Sequence, residues 1–201
     1  WGLLLPEFRG PSLESNRRAH QAGGSALAIQ DVVDGVAAVS QRSPINREAL
    51  FLLGGSGGGH LSLLVAASTP ALWKGVSSWV PITDLSAWHG QNPEYAPHIA
   101  ACCGGEPGTS EDVDREYRER SPIAKVKALS KVNLSLHHGR FDPVVPYSHS
   151  WNLAQELERC GSRRFFFDIF DGEHDIRYDT AFRWFDALLT REDPQSGRLT
   201  G

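Results

Sequence analysis

Three side chains in this sequence are of the types that carry covalent catalysis, and each sits near glycine in a turn-forming context: Ser56, Asp142 and His174. Ser56 lies in Leu53-Gly54-Gly55-Ser56-Gly57-Gly58-Gly59. There an apolar run, Ala49 to Leu53, stops at a glycine cluster, and a helix-compatible run, Leu61 to Ala67, follows. Strand, sharp turn and helix form the setting of a G-x-S-x-G nucleophile elbow, here Gly54-x-Ser56-x-Gly58. Such a turn strains its central residue and projects the hydroxyl above the sheet. Side chains at the flanking positions would clash where helix meets strand, so glycine fits both. The N–H of Gly57, opening the helix, points where an oxyanion would form. Two other readings compete: a turn with an incidental serine, and a loop that cradles phosphate. The second lacks the Gly-Lys-Ser/Thr ending of a P-loop, and no G-x-G-x-x-G with a later acid follows the first predicted strand.

A serine hydroxyl is a poor nucleophile at neutral pH and needs a general base, itself oriented by an acid. Eight histidines are available. His174, in Phe170-Asp171-Gly172-Glu173-His174-Asp175, follows the last apolar strand closely, with glycine giving the loop room to turn. His137 and His138 straddle a predicted strand end, as core groups or as supports behind the site. His60 lies on the elbow helix, and His20, His89, His98 and His149 lie in polar surroundings with no strand behind them. These read as solvated or structurally satisfied histidines. The acid is Asp142, in His138-Gly139-Arg140-Phe141-Asp142-Pro143-Val144-Val145-Pro146, placed by a glycine turn and fixed by two prolines. A plain Asp-Pro turn is the bland alternative. Asp84, in Pro81-Ile82-Thr83-Asp84, is the runner-up. Asp142 is preferred because it yields the order Ser, Asp, His expected of an α/β-hydrolase. Acyl transfer by such a set needs no metal and no organic cofactor.

The elements that must position these residues follow from apolar periodicity. Gly2 to Pro6 reads as a short buried strand, followed by a loop with Arg9-Gly10-Pro11. Over Ser25 to Val39, Ile29, Val32, Val33 and Val36 recur at helical spacing. Ala49–Leu53 is the strand into the elbow, Gly59–Ser68 the helix after it, and Gly75–Ile82 another buried strand. From Asp84 to Arg120 the pattern dissolves, apart from a short acidic helix near Ser110–Arg118. Val132–His137 and Phe165–Phe170 read as strands, Ser148–Cys160 and Thr180–Leu189 as helices. This alternation implies an α/β fold, a mostly parallel sheet with helices on both faces, and ligands beyond the carboxyl ends of the strands. Ser86–Arg120 would then border the substrate pocket, with Trp88, Tyr95 and His98 as an aromatic wall or as plain packing. Arg9 reads as a loop anchor in preference to a ligand for a substrate carboxylate.

At 201 residues, 40% hydrophobic and 22% charged, the chain reads as a single domain over residues 1–201 with a core of ordinary size. A net charge of −4 gives no reason to invoke nucleic acid or an anionic membrane surface. No apolar stretch approaches the ~20 residues of a membrane span. Cys102, Cys103 and Cys160 form no C-x-x-C pair, which argues against a metal site or a disulfide framework; reduced thiols in a loop are expected at 102 and 103. The chain contains no methionine and opens on Trp1 within an apolar run, which reads as a fragment or a processed product. The compartment stays open.

Taken together, Arg9-Gly10 after the first strand, Leu53-Gly54-Gly55-Ser56-Gly57-Gly58, Ser121-Pro122, His138-Gly139-x-x-Asp142-x-x-Val145-Pro146 and Gly172-x-His174 resemble the catalytic domain of the prolyl oligopeptidase family. The resemblance runs from about residue 2 to 189, and its most specific part is the block from His138 to Pro146. It implies the α/β-hydrolase fold, with Ser56 as nucleophile, Asp142 as acid and His174 as base. It also implies a strand before Gly2–Pro6, whose loop carries an HGG-like sequence and the second oxyanion donor. That strand would lie between those at Gly2–Pro6 and Ala49–Leu53. Its absence from this chain predicts an incomplete sheet with unpaired edges and half an oxyanion hole. Three functions remain open: a serine peptidase acting on short peptides, with an upstream accessory domain; a carboxylesterase of small or carbohydrate-linked esters; and a non-catalytic binding module.

Overall fold

A computed structural model describes residues 1–7, 9 and 14–190 of the chain. Four strands, β1 (Phe51–Gly55), β2 (Gly75–Trp79), β3 (Leu134–Gly139) and β4 (Phe165–Phe170), pair in the order β1-β2-β3-β4. Every pair is parallel, from Phe51 opposite Gly75 at one end to Gly139 opposite Phe170 at the other. All four carboxyl ends therefore open on one rim.

Crossover helices between parallel strands bury one sheet face. These are α2 (Gly57–Ser68), the short α6 (Val126–Leu129) and α7 (Ser148–Arg159), joined on that face by α1 (Ala26–Arg42), which precedes β1. Val32 of α1, Leu61, Leu63 and Val65 of α2, Leu129, and Leu153 and Leu157 of α7 pack with Val76, Leu134 and Leu136 of the sheet. Alternation along each strand sends the neighbouring side chains to the other face. Trp79 there stacks on His137 at 3.8 Å between ring centroids and packs with Phe170 and Ala181 of α8 (Tyr178–Thr190). Ser25 caps α1, its Oγ accepting from Ala28 N at 3.1 Å. Gly59 to Ala66 of α2 are all buried, as an almost charge-free helix at the centre of a fold requires.

Two expectations from the sequence are corrected here. The Gly2–Pro6 segment is not a strand: it joins no ladder, and Leu3 and Leu5 are 75% and 80% exposed. An apolar run becomes a strand only where a neighbouring edge lies within hydrogen-bonding reach. Among the described residues no strand pairs with the outer edge of β1, and Trp1 leans on Phe51 and Phe182, each at 5.5 Å between ring centroids. Gly10 and Pro11 lie outside the described residues.

The second correction concerns residues 84 to 120. They contain two further helices, α3 (Leu85–Gln91) and α4 (Ala96–Cys103), before α5 (Glu111–Glu119). These helices are short, and aromatic and cysteine residues blur their periodicity. What holds them is burial, in a layer above the sheet rim formed by Ile82, Leu85, Trp88, Ile99, Cys102, Cys103, Tyr117 and Val145. Cys102 and Cys103 are thus buried in the last turn of α4 and not in a loop; burial pushes the Cys103 thiol up to about 12.

Candidate active site

Ser56 follows β1 directly and stands at the N-cap of α2 with φ 54° and ψ −123°, a strained conformation for a residue with a side chain. Its N–H donates to Trp79 O at 2.9 Å and its carbonyl accepts from His60 N at 2.9 Å, which locks the elbow onto the end of β2. Its hydroxyl makes no capping bond with α2. A Cβ on Gly54 would come within 2.1 Å of Gly58 O, so the residue two before the serine must be glycine. The other flank differs from expectation. A Cβ on Gly58 meets nothing, whereas one on Gly59 would come within 2.8 Å of Trp79 O. The helix crosses β2 one residue later than the motif suggests.

The candidate acid and base, Asp142 and His174, come from the turns after β3 and β4. Asp142 Oδ1 accepts from Val144 N at 2.8 Å and Val145 N at 2.9 Å, and Oδ2 accepts from His174 Nδ1 at 2.7 Å. The Asp142 carboxylate is fully buried, which by itself would raise its pKa. Hydrogen bonds from His138, His174, Val145 and Val144 outweigh that burial and hold it well below the usual carboxylate range. The two turns are joined by backbone bonds, Arg140 N to Phe170 O at 2.9 Å and Phe141 N to Gly172 O at 3.0 Å. They approach so closely that a Cβ on Gly139 would fall 1.9 Å from Glu173 O. Gly139 therefore positions the site: the sequence marks it as the glycine of the turn before Asp142, and the structure adds the close approach to Glu173 that requires it.

The runner-up acid is occupied elsewhere. Asp84 caps α3, its Oδ1 accepting from Ala87 N at 3.0 Å. Two further buried histidines, His60 and His149, are satisfied, whereas His137 meets Asp168 through Nδ1 at 3.3 Å and leaves its buried Nε2 without a partner among the described residues. His60 Nε2 donates to Arg120 O at 2.6 Å, and burial lowers its pKa to about 4. His149 Nδ1 accepts from Thr83 N at 3.2 Å, its Nε2 donates to Gln91 at 2.9 Å, and burial again lowers its pKa to about 4.

Ser56, Gly57 and His174 line one cavity of about 450 Å³. Its walls are chiefly apolar: Ile82, Leu85, Trp88, Ile99 and Val144, with Gly23, Gly24 and Tyr95 closing other sides. Trp88 and Tyr95 stack at 5.1 Å between ring centroids, and His98 also faces the cavity while accepting from Glu14 N at 2.9 Å. All three thus belong to the pocket wall that the sequence left undecided. Arg9 sits at the same cavity, bound to Asp31 at 2.8 Å and Gln21 at 3.0 Å, as an anchored side chain. A shallower depression of about 580 Å³, with Asp84, Asp114 and Ser121 among its lining residues, contains none of the three catalytic candidates. The structure therefore joins Asp142 to His174 directly and brings Ser56 to the cavity that His174 lines. Among the described residues no Ser56–His174 hydrogen bond is formed, a spacing common before substrate binds.

Residues 17–193 match the sequence model of the prolyl oligopeptidase family. The chain is 26% identical over 158 residues to a prolyl endopeptidase FAP of Mus musculus, a match covering 77% of this chain and 20% of that protein. It is 23% identical over 192 residues to an inactive dipeptidyl peptidase 10 of Rattus norvegicus, covering 92% of this chain and 22% of that one. A puromycin-hydrolyzing peptidase of Mycobacterium tuberculosis has the same fold, with a TM-score of 0.71 at 24% identity over 85% of this chain and 25% of its own. The chain thus spans about a fifth to a quarter of the length of these relatives. On the extent of the family match, with the parallel sheet and its elbow as the shared frame, this chain belongs to the prolyl oligopeptidase family, with an α/β-hydrolase fold.

Proposed function

We propose that this protein is a serine hydrolase of the peptidase type, with Ser56 as nucleophile, His174 as general base, Asp142 as orienting acid and Gly57 N–H as an oxyanion donor. The observation that carries this reading is the 2.7 Å contact between His174 Nδ1 and Asp142 Oδ2 at the mouth of the cavity that Ser56 lines. A carboxylate that can only accept fixes the tautomer: Nδ1 carries the proton and Nε2 is free to take another. Ser56 Oγ attacks the carbonyl carbon as its proton passes to His174 Nε2. The tetrahedral oxyanion accepts from Gly57 N–H, whose position in the first turn of α2 leaves it without a helical partner. His174 then gives the proton to the departing amine. Water, activated by the same nitrogen, releases the acyl group from Ser56. The apolar walls suit an acyl fragment with a hydrophobic side chain.

The test is labelling of the purified protein with a fluorophosphonate, alongside turnover of a dipeptidyl anilide and of p-nitrophenyl acetate. Labelling is expected at Ser56, absent from Ser56→Ala, and at least ~10³-fold slower in His174→Ala. Anilide turnover supports a peptidase, whereas ester turnover alone would make the protein an esterase. A folded protein that the probe does not touch would overturn the catalytic reading and leave a binding module.

A further inference from the structure

Behind Asp142, on the side away from the cavity, lies a second histidine that the catalytic chemistry does not use. His138, the penultimate residue of β3, is fully buried. Its Nε2 lies 2.8 Å from Val145 O and 3.4 Å from Asp142 Oδ2, the same oxygen that receives His174. Its Nδ1 lies 2.7 Å from the Oγ of Ser150, a fully buried serine in the first turn of α7. The carbonyl of Val145 can only accept, so Nε2 carries a proton, shared between that carbonyl and the carboxylate.

Val145 is tied at both ends of its peptide unit. Its N–H goes to Asp142 Oδ1 and its carbonyl to His138. His138, Val145 and Asp142 thus form a closed ring of hydrogen bonds. Through Ser150 that ring is fastened to α7, a helix packed on the opposite side of β3 and β4 from α8.

We propose that His138, held by Ser150, is a positioning residue for Asp142: it fixes the carboxylate oxygen on which His174 is oriented. The proposal rests on the catalytic reading given above. His138 touches neither substrate nor any reacting atom and acts through Asp142. Its strongest physical ground is that, among the described residues, His138 and His174 are the side chains that reach the Asp142 carboxylate, whereas Trp88 and Asn92 hold the turn only through Val144 O, at 3.2 and 3.1 Å. The remaining bonds to the carboxylate are the turn's own Val144 and Val145 N–H groups. Without His138, the Val145 carbonyl would be buried with no partner, and the carboxylate would lose the one side chain besides His174 that fixes its orientation.

The test compares Ser150→Ala, His138→Leu and His138→Gln in the full chain, by the water-exchange rate of the His174 Nδ1 proton in ¹⁵N-histidine NMR. Ser150→Ala and His138→Leu are expected to speed that exchange about tenfold or more while the backbone spectrum of β3 and β4 is retained. His138→Gln, whose amide N–H reaches a similar place, is expected to recover most of the protection. Phosphonylation of Ser56 should slow in parallel, by up to ~10²-fold for a displacement of about an ångström. Unchanged exchange in folded Ser150→Ala overturns the proposal, whether or not His138→Leu folds. Absence of Ser56 labelling in every form, including the unaltered protein, would instead overturn the catalytic reading, and the exchange rates would still decide the role of His138.

Discussion

Asp142 shows at residue scale how a buried charge is kept. Its carboxylate is removed from solvent, yet its Oδ1 accepts from two backbone N–H groups and its Oδ2 from His174, with His138 at 3.4 Å. A carboxylate surrounded by donors stays ionised despite burial. Asp142→Asn replaces one acceptor oxygen by a donor NH₂. Either the two valine N–H groups or His174 Nδ1 then meets another donor. The substitution is expected to slow labelling of Ser56 by about 10⁴-fold, since the imidazole is driven into the wrong tautomer. Phosphonylation kinetics check this, with a thermal melt confirming that the variant folds. An undiminished rate would remove Asp142 from the catalytic set. Of the residues in the candidate site, Ser56, Asp142 and His174 were legible as candidates because the chemistry proposed for them restricts residue type. His138 was legible only as a core group or a support, because its role depends on Val145 and Ser150 lying beside it in space.

At the scale of elements, the site depends on close approach of backbones. The contact between α2 and β1 falls on Gly54, that between α2 and β2 on Gly59, and that between the turns carrying Asp142 and His174 on Gly139. Gly59→Ala and Gly139→Ala force Cβ against fixed backbone oxygen atoms at 2.8 Å and 1.9 Å, respectively. Overpacking of this kind destabilises by about 1–3 kcal/mol. Gly58→Ala places a methyl in open space within a helix and is expected to stabilise by about 0.5–1 kcal/mol. Urea denaturation of the three variants measures both signs; a destabilised Gly58→Ala with an unaffected Gly59→Ala would show that the helix crosses β2 at the other glycine. The sequence marks this region as a sharp turn through its glycine density. Which glycines are obligatory depends on how far the helix has rotated where it crosses the strand, and that is set by packing in the core. The helices between residues 84 and 103 were illegible for a related reason. Each is too short to show a period, and their burial against the rim, not local propensity, keeps them folded.

For the molecule as a whole, acid stability follows from its buried histidines. His60 and His149 are held neutral by burial, with pKa values lowered from 6.5 to about 4, and burial lowers His137 also. The unfolded chain binds protons at these sites before the native state does, so stability falls with pH wherever the two differ. The loss begins as pH drops through 6.5 and is complete near 4. It amounts to at most about 3 kcal/mol per histidine for His60 and His149. Asp142, whose pKa is depressed, adds its own loss only below the ordinary carboxylate range, outside that window. Melting temperatures taken from pH 7.5 to 4 should fall steadily, and His149→Gln should flatten part of the slope. A melting temperature that does not vary across that range would contradict the neutral, buried state assigned to these rings.

The sequence by itself determined the alternation of strands and helices, the sharp turn around Ser56, and the candidate acid and base side chains in turns past later strands. Apolar periodicity and catalytic residue types are local properties, readable a few residues at a time. Only the tertiary structure decided that Gly2–Pro6 is no strand, that Asp84 is spent capping a helix, that Trp88, Tyr95 and His98 wall the cavity, and that His138 stands behind Asp142. Each of those facts depends on which distant backbone comes within a few ångströms. Such proximity is fixed by how the layers pack on the sheet and not by any segment alone.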